Sequence, residues 1–90
     1  MTLHEVLDKL HKSLPDEIHG IGEYCEMYHS LKDMGQMEMA RKLRDMAKDE
    51  YHHAENIKHF LEKAGVEISK EHEDMLESYE KKLERAYKLK

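Results

Sequence analysis

Glu17 and Glu50 each stand where the surrounding apolar pattern calls for a leucine. Leu10, Leu14, Ile21, Tyr24, Tyr28 and Leu31 recur at threes and fours, and the missing heptad step is residue 17. Leu43, Ala47, Ala54, Ile57 and Leu61 recur in the same way, and the missing step is residue 50. At 100° per residue each set forms one stripe along a helix, so both acids lie near the centre of an apolar face. An ionised carboxylate there is costly unless a cation pairs with it. Lys and Arg are scarce on both stripes, so a metal ion is the natural counter-charge. His53 follows Glu50 by three residues, on the same side of the helix. A carboxylate oxygen and an imidazole nitrogen at that spacing reach a common ion. A facing helix that supplies a further Glu completes the half-site pattern of di-iron carboxylate bundles. Such donors suit iron or manganese, and zinc is compatible.

The spacing alone does not single out this pair. Glu26-x-x-His29 has the same form, but Glu26 lies roughly 160–200° from Tyr24 and Tyr28 and points to solvent. Asp49-x-x-His52 is one residue out of phase. Tyr24, two turns beyond Glu17 on the same face, can approach the site. Cys25 is expected to be a buried or half-buried small side chain. The remaining histidines fit the surface or the stripe edges.

The elements that must hold these residues are helices. Glu, Lys, Leu, Met, Ala and His dominate, with a single Pro and no Trp. The breaks predict a short helix at 2–12 and a long one at 14–34 with Ser13 as N-cap and Pro15 in its first turn. A longer helix at 36–64 and a last one at 69–89 follow, with Gly35 and Gly65 as stops and Ser69 as a cap. Met39, Met46 and Ala64 join the 36–64 stripe. His72, Met75, Leu76, Tyr79, Leu83 and Ala86 make a weaker stripe on the last helix. Gly20 and Gly22 weaken the helix that contains them and suggest close approach of a neighbour.

The expectation is therefore one all-α domain over 1–90: an antiparallel helical hairpin with extra N-terminal and C-terminal helices. Charged residues are 39% of the chain and apolar residues only 39%, which leaves too little for a thick core. A partner chain or a metal would complete it. The net charge of −5 argues against a nucleic-acid partner. No run is long and apolar enough for a membrane span. One cysteine, and an amphipathic acid-bearing start without a signal-peptide core, suit a reducing cytoplasm.

The segment from Glu17 to Gly65 resembles the rubrerythrin di-iron domain of the ferritin-like superfamily. It carries Glu17, Tyr24 seven residues on, Gly35 at the turn and Glu50-Tyr51-His52-His53. The resemblance implies Glu17, Glu50 and His53 as iron ligands, with Tyr24 as a neighbour of the site. A rubrerythrin chain folds four long helices and carries both half-sites, whereas this chain has one in-phase Glu-x-x-His and no Cys-x-x-Cys module. In that respect it is similar to the half-length encapsulated ferritins, in which two chains assemble one di-iron site. The resemblance thus implies a homodimeric four-helix bundle, with oxidation of Fe²⁺ by O₂ or peroxide. The end of the chain, ERAYKLK, is unlike the Gly-, Leu- and Ser-rich cargo peptide of those proteins, which counts against an encapsulin shell as partner. The alternative function is a non-catalytic, metal-stabilised helical interaction module.

Overall fold

The computed structural model describes residues 1–88, which form three helices: α1 (Leu3–Asp33), α2 (Met37–Lys63) and α3 (Lys70–Lys88). Among the described residues there is no strand, and no helix is long and apolar enough to cross a membrane. Residue 89, the expected end of the last helix, lies outside them.

The expected break before Pro15 does not exist. α1 runs unbroken through it, opened by Thr2, whose side chain accepts from the Glu5 amide at 3.2 Å while Glu5 reaches back to the Thr2 amide at 3.3 Å. Ser13 is not an N-cap; its hydroxyl donates to the Leu10 carbonyl at 3.0 Å from inside the helix. Proline in a helix interior removes the bond to the carbonyl four residues back and costs about 3 kcal/mol. Here Leu14 and Ile18 are fully buried on either side of Pro15, and Leu7 and Leu10 pack on the same core. Burial of such side chains is worth about 1.5–3 kcal/mol each, so continuity wins.

The other boundaries follow their signals. Gly35 and Gly65 both take φ of +79°. Gln36 N–H reaches the Leu31 carbonyl at 2.9 Å and Val66 N–H reaches that of Leu61 at 2.9 Å, each closing a Schellman turn. Ser69 accepts from the His72 amide at 3.2 Å.

α1 and α2 pair along their length, and α3 packs on one side of both. Ala40, Ala47, Ala54 and Leu61 recur every seventh residue of α2 and are fully buried, so small side chains bring the hairpin helices close. Ile18, which falls outside the single expected stripe, is core because α1 serves two neighbours, α2 and α3. α3 is fixed by tyrosines. Tyr79 fills the notch at Gly22, where an added Cβ would lie 2.5 Å from its hydroxyl. Tyr51 donates to Glu80 at 2.8 Å, and Tyr87 bonds Asp45 beneath the Arg44 guanidinium.

The opposite face of the hairpin is open. Met39, Met46 and Ala64, expected in the core, are exposed, and so is Phe60. All four lie within about 40° of His53 around α2, whereas Tyr51, which faces α3, is about 160° away. On α1, Val6, Tyr24 and Leu31 share the side of Glu17. The molecule is a slab of 48 × 23 × 16 Å. Its thin dimension suits two layers of helix about 8–10 Å apart, the hairpin and α3, and leaves no third layer to cover the other side of the hairpin.

Candidate metal centre

Glu17 comes from the middle of α1, and Glu50 and His53 from the middle of α2, on the open side of the hairpin. His53 Nδ1 lies 3.4 Å from Glu50 Oε1 and 3.7 Å from Glu17 Oε2. One donor atom from each of the three residues falls within 4.8 Å of the others. Donors about 2.0–2.2 Å from a common ion stand roughly 3–3.5 Å apart, so this spacing suits an ion between them better than direct hydrogen bonds.

The carboxylates are half-buried, with side-chain exposures of 30% for Glu17 and 25% for Glu50, and His53 is 59% exposed. Glu17 Oε2 is itself buried and has no hydrogen-bond partner. A buried carboxylate oxygen without a donor carries a desolvation penalty that a bound cation removes. No Lys or Arg ion pair reaches Glu17 or Glu50 among the described residues; His53 is their sole pairing group. The donor set and the orphaned oxygen therefore both fit a divalent metal.

Burial, and after it the adjacent Glu50 carboxylate, pushes the Glu17 carboxyl above its ordinary value of 4.5. The folded state thus holds this proton more tightly than the unfolded chain does. The stability tied to it is full below pH 4.5 and is lost as pH rises through the folded value. Metal-free Glu17→Gln, neutral at every pH, is expected to melt progressively higher relative to wild type as pH rises from 4.5 to 8. Metal-free Glu17→Leu, which makes the apolar stripe continuous, should melt at or above wild type at neutral pH. Calorimetric melts across that range check both. A gap that narrows with pH, or an apo Glu17→Leu protein that melts well below wild type, would give Glu17 a stabilising partner.

Glu26, His29, Asp49 and His52 are exposed, as is His53; what sets Glu17, Glu50 and His53 apart among the described residues is that their donor atoms gather within 4.8 Å of one another. Tyr24 is half-buried and packs on the main core, roughly 10 Å along α1 from Glu17. Cys25 is half-buried, and burial pushes its thiol up. Tyr51, noted in the sequence only within the run Glu50-Tyr51-His52-His53, faces α3 away from the site and touches Glu80 at 2.8 Å and Glu55 at 3.1 Å, contacts the sequence reading did not anticipate. Burial, then Glu80 and Glu55, raises its phenol well above the ordinary value. The Glu55 contact has a helical i, i+4 signal, whereas the Glu80 contact depends on how α3 docks.

The sequence model of the rubrerythrin family matches residues 8–90. The chain belongs to the rubrerythrin family. The matched region of this rubrerythrin-family chain contains Glu17, Glu50 and His53 and all but the first turns of α1. The chain is also 35% identical over 63 residues to a protein of Desulfovibrio desulfuricans named bacterioferritin. That alignment takes in 70% of this chain and 35% of the relative, so this rubrerythrin-family chain corresponds to about a third of its length. No solved structure matches it.

Proposed function

We propose that the protein is a di-iron carboxylate protein that handles iron, oxidising Fe²⁺ with O₂ or peroxide, and that two copies together build the site. The observation that carries this is a half-set of ligands, with a buried unpartnered oxygen on Glu17, opening onto an uncovered apolar face. An isologous pair brings two such faces together, so four carboxylates and two imidazoles surround one cavity. The 48 × 23 Å face is large enough for the ~800 Å² per partner of a standard interface. Membership of the rubrerythrin family and the bacterioferritin relative support iron over manganese or zinc.

Bound iron supplies one-electron chemistry toward oxygen or peroxide. Glu17 and Glu50 provide the anionic donors, and the orphaned Glu17 Oε2 gains a partner. His53 presents Nδ1 to the two carboxylates and serves as the terminal donor of each half. Because burial and then Glu50 raise the Glu17 carboxyl above 4.5, protons compete with the metal there and binding strengthens as pH rises through the raised value. Tyr24, on the side of α1 that carries Glu17, is assigned the catalytic role of hydrogen-bonding a group at the site or taking up an electron. The single cysteine fits a cytoplasmic setting.

Anaerobic loading with Fe²⁺ followed by air tests this reading. A near-ultraviolet oxidation band that saturates at two Fe per dimer is expected. Tight binding without that band would instead indicate the non-catalytic, metal-stabilised module.

A further inference from the structure

Gly20 lies one turn beyond Glu17, on the open side of α1, in the interior of a helix where alanine would be favoured. Its φ is ordinary for a helix, so the backbone does not require glycine. The space beside it does. A Cβ added at Gly20 would stand 2.9 Å from Glu50 Oε2 and 3.6 Å from Glu50 Cδ. The other oxygen of the same carboxylate, Oε1, is the one 3.4 Å from His53 Nδ1.

We propose that Gly20 is a positioning residue of the metal site: its bare Cα seats one oxygen of Glu50 and thereby aims the other at His53. This rests on Glu17, Glu50 and His53 being the ligands. A methyl group at position 20 meets the far end of a flexible side chain, so the fold accommodates it by moving the carboxylate. The fold is spared and the ligand geometry is not. Gly22 behaves differently, because a Cβ there meets the Tyr79 hydroxyl at 2.5 Å and its ring carbon Cζ at 3.1 Å, and so disturbs the docking of α3.

The test compares Gly20→Ala, Gly22→Ala, Glu50→Asp and Glu50→Asp/Gly20→Ala with wild type and His53→Ala. Metal-free melts, anaerobic Fe²⁺ titrations and a metal-free crystal structure of Gly20→Ala are the readouts. Metal-free Gly20→Ala should melt at or a few degrees above wild type, as glycine-to-alanine changes in helices do. Its Fe²⁺ affinity should fall about 10–100-fold, the usual loss when a group that orients a ligand is altered. Glu50→Asp shortens the side chain, so Gly20→Ala should add little further loss in that background. Gly22→Ala should lower the melting temperature and leave affinity within about twofold. An unchanged affinity, an equal loss in the Glu50→Asp background, or a lowered metal-free melting temperature for Gly20→Ala would overturn the proposal. If wild type binds no Fe²⁺, the ligand assignment fails by itself. The crystal structure then decides the seat separately: a displaced Glu50 carboxylate supports it, and an unmoved one overturns it.

Discussion

Glu50→Ala and His53→Ala are each expected to abolish tight metal binding, while Glu26→Ala and His29→Ala leave it within about twofold. The two Glu-x-x-His pairs are chemically identical and differ only in helical phase. Glu50 and His53 converge with Glu17, whereas Glu26 and His29 are exposed on the far side of α1. In a two-fold assembly each substitution removes two of six donors from one centre. Altering only the groups that orient ligands costs about 10–100-fold, so loss of the ligands should exceed that range. The variants should also lose metal-linked stabilisation, about 2.7 kcal/mol at a hundredfold excess over Kd. Metal-free Glu50→Ala should not be destabilised, because one of two crowded carboxylates is gone. Fe²⁺ or Co²⁺ titration calorimetry with paired melts checks this. Equal losses from both pairs would contradict the phase assignment.

Met39→Lys and Phe60→Lys are expected to convert the protein to a folded monomer with little bound metal. Both residues are already exposed in a single chain, at 53% and 64%, so a lysine there costs the isolated fold little. In an isologous dimer each added charge enters the interface twice, in place of a large apolar side chain, and a buried charge without a well-placed partner is strongly destabilising. Both positions lie two or more turns from Glu50 and His53, roughly 10 Å or more along α2, so neither ammonium pairs with the ligands. Sedimentation and metal analysis should move together, with circular dichroism unchanged. A monomer that keeps its metal would separate the face from the site.

Much of this was legible in the sequence because it depends on one helix at a time. The defects at Glu17 and Glu50 show as gaps in a period, Gly35 and Gly65 mark turns that need positive φ, and Ser69 announces a cap. What escaped depends on more than one helix. Pro15 reads as a helix start until the burial of Leu14 and Ile18 on both sides is known. Ile18 escapes a one-stripe pattern because α1 packs against two neighbours. Met39 and Met46 have the period of core residues and yet are exposed in the single chain; an apolar stripe does not say what covers it, and the proposed second copy is what would cover this one. The seat at Gly20 depends on the register of α1 against α2, which neither helix encodes alone.

Native mass spectrometry of the protein reconstituted anaerobically with Fe²⁺, over a dilution series spanning dimer dissociation, tests most directly whether two copies build one site. Dimers carrying two metals and monomers carrying none, in a ratio that follows dilution, are the result expected of half-sites that close only together. Monomers that retain stoichiometric iron would contradict it.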